Sequence, residues 1–259
     1  MDRAILENKV NPIVPYTSWR RPPGPLNVWK VVDGYKNGEP TKFKIQEIPS
    51  DRFEEVLDHM CDYYLADEPQ FECMKARDDP LLVYDQRLLW RLFLKQGISI
   101  GMFTDNSNGE KSIIVGVNIL LVETKDDKAV FAKFRQNYLS PRGSQMDAVL
   151  WPLFQEANVK SKLKEHKYLT SAGLSVLPSF RGQSFGGKML DVREDICRNY
   201  GINLSANCFS SDASIKLAER SGYGVLLERD YEKILNNQNQ IAFPNCRSKT
   251  FKFMFKRFI

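Results

Sequence analysis

The sequence predicts an α/β fold: a mixed, mostly antiparallel central sheet with helices on both faces. Three observations predict it. Residues 98–103 and 112–123 are apolar segments joined by Asp105-Asn106-Ser107-Asn108-Gly109, which reads as a hairpin and so as an antiparallel pair. Residues 168–208 read as strand, helix, strand, and such a crossover makes its two strands parallel. Near the C-terminus, Phe251, Phe253 and Phe255 alternate with Lys252 and Lys256, the pattern of a half-buried final strand.

The remaining elements follow in order. Residues 1–40 carry Pro12, Pro15, Pro22, Pro23 and Pro25, which exclude a long helix. They are expected to form an extension that packs on the body through Trp19 and Trp29, with residues 41–259 as a single domain. Residues 41–48 alternate and read as the first strand. Pro49-Ser50-Asp51 signals a helix start, and Phe53, Val56, Leu57, Met60, Cys61 and Tyr64 recur at helical spacing behind it. That helix is expected to end near Asp67, with Glu68 and Pro69 in a loop. Residues 85–95 form a second helix, whose Trp90 is assigned to the core. Residues 125–164 are helical in pattern, broken at Ser140-Pro141-Arg142-Gly143. Then come a strand at 168–177, a helix at 185–200, a strand at 202–208, a helix at 211–220 and a strand at 223–228.

Composition narrows the function. The net charge of +5 is spread along the chain, so no basic face for nucleic acid is expected. No apolar run is long enough to span a bilayer, and residues 1–10 lack the pattern of a secretory signal. The expectation is a cytoplasmic monomer with no membrane partner. Five scattered cysteines without a CxxC pair argue against a structural zinc site, and no metal is expected. With only His59 and His166 available, proton chemistry falls to carboxylates, hydroxyls and water.

The segment Leu174-Ser175-Val176-Leu177-Pro178-Ser179-Phe180-Arg181-Gly182-Gln183-Ser184-Phe185-Gly186-Gly187 carries the most chemistry. A strand ends, a short loop follows, and a helix opens with two glycines in its first turn. Exposed amides at a helix N-terminus attract anions, and small residues let a phosphate approach them. Arg181 and Lys188 add positive charge. A plain strand-to-helix turn is the bland alternative.

This segment resembles the acetyl-CoA signature of the GNAT superfamily: Arg or Gln, two residues, Gly, one residue, then Gly or Ala. Arg181 and Gly186 match its ends, while Ser184 stands where the first glycine is expected and calls for near-helical backbone there. Leu174-Ser175-Val176 resembles the family strand that pairs with the pantetheine arm. The stretch Ser210 to Tyr223 resembles the helix that follows the next family strand, but Ala218 replaces a tyrosine that in many relatives protonates the leaving thiolate. Asp67-Glu68-Pro69 is similar to a motif of insect arylalkylamine N-acetyltransferases.

The resemblance implies an acetyl-CoA-dependent transfer to a small primary amine, of arylalkylamine or polyamine type. It implies acetyl-CoA in the splay between the parallel strands, held by Leu174, Ser175, Val176, Arg181, Gly182, Gln183, Ser184, Phe185, Gly186, Gly187 and Lys188. It implies Glu68 as general base, with Ser210 and Ser214 assisting proton transfer. Helix capping by Ser210 or Ser211 is the bland reading of the serines. Protein lysine acetylation, acyl-CoA binding without turnover, and a binding module without cofactor remain alternatives.

Overall fold

The computed structural model describes residues 17–105 and 111–258. Most of the expected turn at 105–109, and the prolines at 12 and 15, lie outside the described residues. One sheet of eight strands runs in the order β1-β2-β3-β4-β5-β6-β8-β7. The strands are β1 Val28–Lys36, β2 Glu39–Glu47, β3 Ile100–Thr104, β4 Ile114–Thr124, β5 Lys167–Val176, β6 Leu204–Phe209, β7 Gly224–Asp230 and β8 Thr250–Arg257. Among the described residues only β5 and β6 pair in parallel. The expected mixed sheet is the sheet observed.

Residues 28–40, read from the sequence as extension, belong to the sheet. β1 and β2 form a hairpin closed by Asn37 and Gly38, whose φ angles of 54° and 85° suit a two-residue turn. Trp19, ahead of β1, and Trp29, near its start, pack edge-on against Tyr200, at 5.8 and 6.0 Å between ring centroids. Arg21 forms an ion pair with the buried Glu47 at 2.8 Å.

The helices occupy both faces. On one face lie α1 (Phe53–His59), α2 (Pro69–Cys73), α3 (Pro80–Leu94), α4 (Lys128–Gln136) and α5 (Pro141–Ala157), with α6 (Val159–Leu163) following. Their core joins Val56, Leu57, Trp90 and Phe93 to Val117, Ile119 and Leu121 of β4. On the other face α7 (Phe185–Asn199) sets Phe185, Met189, Val192 and Ile196 on Phe43, Ile45, Val115 and Leu120. Beside it, α8 (Asp212–Arg220) packs with Phe209, Tyr223 and Met254.

The break expected at Ser140 is a helix start: the Ser140 side chain caps α5 by accepting from Gly143 N at 3.1 Å. The helix expected up to Asp67 exists with one irregularity. After His59 it passes through a π-helical turn at Met60–Tyr64 before the last turn, Leu65–Asp67. Such turns re-aim the residues that follow them. Here the residue re-aimed is Glu68.

Candidate active site

The parallel pair supplies the opening. β5 and β6 share one register pair, Leu169 with Ser205. Beyond it the Asn207 side chain replaces the ladder, accepting from Ser171 N at 2.8 Å and from Thr170 Oγ1 at 3.1 Å. β5 also bulges against β4, because Asn118 pairs with Leu174 but Leu120 with Ser171. The bulge contains Gly173 at φ 133°, with Tyr64 and Met60 of the π-helical turn pressed onto it. Trp90 Nε1 donates to the bulge carbonyl of Ala172 at 2.9 Å. The gap opens into a cavity of about 1090 Å³ that passes through the sheet.

Glu68 lies on this cavity. The expected loop there is a junction between two helices, with Glu68 as N-cap of α2 and Pro69 at its first position. Oε2 accepts from Phe71 N at 2.9 Å, while Oε1 is buried with no hydrogen-bond partner. Burial raises the Glu68 pKa, opposed by the Ser210 hydroxyl, the Phe71 and Gln70 amides and the charge of Arg247. Asp67, its neighbour in sequence, is half-exposed and paired with Arg181.

The serines separate into two roles. Ser211 is the N-cap of α8 and accepts from Ser214 N at 3.1 Å, while Ser214 Oγ accepts from Ser211 N at 3.2 Å. This reciprocal capping box accounts for Ser214 as a helix-start residue. Ser210 sits beside the Glu68 carboxylate, and its carbonyl accepts from Tyr231 Oη at 2.9 Å. Ala218 is fully buried against α7 and β8, so no side chain at that position reaches the cavity.

The phosphate-loop residues also divide. Leu174, Ser175, Val176, Arg181 and Gly186 line the cavity. Arg181 donates through Nε to Val176 O at 3.0 Å and pairs with Asp67, tying the loop to the end of the first helix. A Cβ on Gly182 would meet nothing, and the α7 N-cap has no side-chain hydrogen bond. These features fit a pyrophosphate on the loop amides. The side chains of Gln183, Phe185 and Lys188 point elsewhere. Gln183 bonds Tyr35 of β1, Phe185 is core against Phe43, and Lys188 Nζ donates to Asp33 O at 3.2 Å.

Ser184 overturns one expectation: its backbone is left-handed, with φ 60° and ψ 19°, not near-helical. A non-glycine residue there carries a strain of about 1 kcal/mol. Ser184→Gly should therefore raise stability by about that amount, a gain of about 2–4 °C in Tm. An unchanged Tm would mean that the serine side chain compensates fully.

His59 was not assigned a role from the sequence. It is buried in α1, with Nε2 at 3.1 Å from Ser175 Oγ. Burial lowers its pKa from 6.5 to about 4, opposed by its bond to Ser175 and reinforced by Arg181. The folded pKa lies below the unfolded one, so this stability is full above pH 6.5 and is lost as pH falls toward 4. The span corresponds to roughly 3 kcal/mol. His59→Gln should flatten Tm against pH in that window, and an identical slope in the variant would contradict this.

Sequence reasoning missed the wall opposite the sheet. Phe131 and Phe134 of α4, Tyr138 of the link that follows, and Trp151 and Phe154 of α5 line the cavity. Arg135 lies 3.5 Å over the Trp151 ring and 3.7 Å from Asp147. The aromatic residues were visible, but nothing local says which face of these two helices meets a distant strand gap.

A single parallel pair splaying open beside a bulged strand, with a phosphate-type loop at its mouth, defines the architecture. Solved structures confirm it. The arylalkylamine N-acetyltransferase 7 of the yellow fever mosquito Aedes aegypti superposes with a TM-score of 0.78 at 27% identity, over 92% of this chain and 98% of that one. The chain has the GNAT acetyltransferase fold. Arylalkylamine N-acetyltransferase 2 of Aedes aegypti gives 0.69 at 18% identity, over 84% and 99% of the two chains. The polyamine N-acetyltransferase of Drosophila melanogaster, described as forming N-acetylagmatine, gives 0.70 at 15%, over 83% and 99%. No family model matches the chain. No curated protein matches it by sequence. This GNAT-fold chain is thus related at modest identity to insect arylalkylamine and polyamine acetyltransferase-like proteins. The GNAT fold implies acetyl-CoA binding. Among the described residues no helix is long and apolar enough to cross a membrane, and no cluster of His, Cys, Asp or Glu could hold a metal.

Proposed function

We propose that the protein transfers an acyl group from a CoA thioester, acetyl-CoA in the simplest case, to a small primary amine, with Glu68 as general base. One observation carries this reading: Glu68 presents a buried, unpartnered Oε1 to the cavity beside the β5–β6 splay. An alkylammonium cannot attack a thioester until it loses a proton. A carboxylate whose pKa is raised by burial is better matched to that proton than an exposed one. The amine nitrogen then bonds to the thioester carbon, the carbon–sulfur bond breaks, and the thiolate takes a proton from Ser210 or water. In this reading Ser214 holds the start of α8 rather than relaying protons.

The aromatic wall favours an amine with an aromatic body. Arg135 within that wall disfavours a second cationic centre, so arylalkylamines are preferred to polyamines. Thiol release from acetyl-CoA, measured over tyramine, tryptamine, agmatine, spermidine and a lysine peptide, tests the reading. Turnover fastest with the arylalkylamines is expected. Binding of acetyl-CoA without thiol release from any amine would make the protein a non-catalytic acyl-CoA binder, and release with the peptide alone would make it a protein acetyltransferase.

A further inference from the structure

Arg193 of α7 is 1% exposed and lines the cavity. Its Nε donates to Asn118 Oδ1 at 3.1 Å. Asn118 in turn donates to Ser171 Oγ at 2.7 Å and to the Gly173 carbonyl at 2.9 Å, which fixes the guanidinium at the level of the β5 bulge. Around it lie other buried polar groups: Asn207 on the opposite strand, and Tyr223, whose hydroxyl donates to Ser205 Oγ at 2.9 Å. The Tyr223 hydroxyl also supports the guanidinium charge, against the burial that lowers the Arg193 pKa. Nη1 is buried without a hydrogen-bond partner, and no carboxylate pairs with Arg193 among the described residues.

A guanidinium held out of water without a counter-charge is costly. A neutral donor would satisfy Asn118 as well, so the charge at this place is unexplained by the fold. Its position supplies the explanation, on the reading that a CoA thioester occupies the splay. The phosphate loop is at the open end of the gap, and the Leu169–Ser205 pair closes the other end. A pantetheine arm entering from the loop along β5 brings its thioester to the bulge. The acyl group then lies at the level of the bulge, where Asn118 holds Arg193.

We propose that Arg193 is an acyl-recognition residue that selects thioesters whose acyl group ends in a carboxylate, of the malonyl or succinyl class. The carboxylate is the counter-charge that Nη1 lacks, and a charge-assisted bond in a site without water is a strong one. The transfer itself is unchanged. Nitrogen bonds to the thioester carbon, the carbon–sulfur bond breaks, the thiolate is protonated, and the terminal carboxylate is carried intact into an N-(carboxyacyl) amide.

Calorimetric titration of the full chain with CoA, acetyl-CoA, butyryl-CoA and succinyl-CoA tests this. Butyryl and succinyl have the same number of carbons and differ in the terminal charge. Succinyl-CoA should bind at least about tenfold tighter than butyryl-CoA. Arg193→Met should abolish that preference while leaving the Kd of CoA itself nearly unchanged. Its thermal unfolding is read alongside, because methionine removes the buried charge but also the donor to Asn118. Arg193→Gln, which retains a donor for Asn118 but not the charge, should also lose the preference. It keeps the test decisive if the methionine variant folds poorly. Equal wild-type affinities for the two thioesters would overturn the proposal, as would a preference that survives in Arg193→Gln. In that case, CoA and acetyl-CoA binding without discrimination would leave the acyltransferase reading standing. Failure of every CoA species to bind wild type would remove both.

Discussion

Glu68→Gln should lower kcat by roughly 10²-fold or more, the scale for loss of a general base. Glutamine is the informative substitution because its carbonyl oxygen can still accept from Phe71 N and cap α2. Alanine would remove the cap as well, at about 1 kcal/mol. Acetyl-CoA affinity should stay close to wild type, because the phosphate loop is untouched. The acidic limb of kcat/KM against pH should lie above the ordinary Glu value of 4.5 in wild type and vanish in the variant. The sign for stability is opposite to that for activity. With its folded pKa raised, Glu68 costs nothing below the unfolded pKa and destabilises as pH rises through the folded one. Glu68→Gln should therefore be inactive yet more heat-stable at neutral pH. Full activity in Glu68→Gln would end the general-base mechanism. Wild-type activity there combined with an inactive Asp67→Ala would move the base to Asp67.

Gly173→Ala should be strongly destabilising. The position has φ 133°, and an added Cβ would come within 2.7 Å of Met60 Cε and 2.9 Å of Tyr64 Cζ. Strain of this kind costs about 1–3 kcal/mol and overpacking a similar amount. The combined loss should be about 2–5 kcal/mol, read as a fall in Tm and in the denaturant midpoint. Activity should fall beyond what stability explains, because Tyr64 and Glu68 share the chain segment that would be pushed back. Retention of wild-type Tm would show that the π-helical turn yields freely.

Much of this was legible in the sequence, for identifiable reasons. The β5–α7–β6 crossover is local, and its glycines and alternating strands state it directly. Glu68 was singled out through the resemblance of Asp67-Glu68-Pro69 to a family motif, and the loop through its glycines at a helix start. The first hairpin was lost although Asn37-Gly38 is a strong turn signal. Prolines at 22, 23 and 25 drew the whole stretch into an extension. Proton relay and capping both stayed open for Ser210 and Ser214 in the sequence, because the two roles use the same hydroxyls at the same spacing; the structure shows Ser211 and Ser214 in a capping box. Arg193 was not singled out, although at helical spacing it falls on the apolar side of α7 between Met189 and Ile196. Nothing local says that a gap between two strands faces it there.

The Gln183 carboxamide, meanwhile, has an effect far from the cavity. It accepts from Tyr35 N at 2.6 Å and donates to Tyr35 O at 3.0 Å, so it satisfies the outward groups of the outermost strand as a further strand would. Gly34 beside it admits the approach, since a Cβ there would lie 2.5 Å from the Phe185 ring. An open sheet edge recruits other chains by pairing with them. The loop that opens α7 thus also occupies the main-chain groups of Tyr35 on the β1 edge, where another strand would otherwise pair, and the residues that line the cavity and the one that covers the edge stand close together with side chains turned opposite ways.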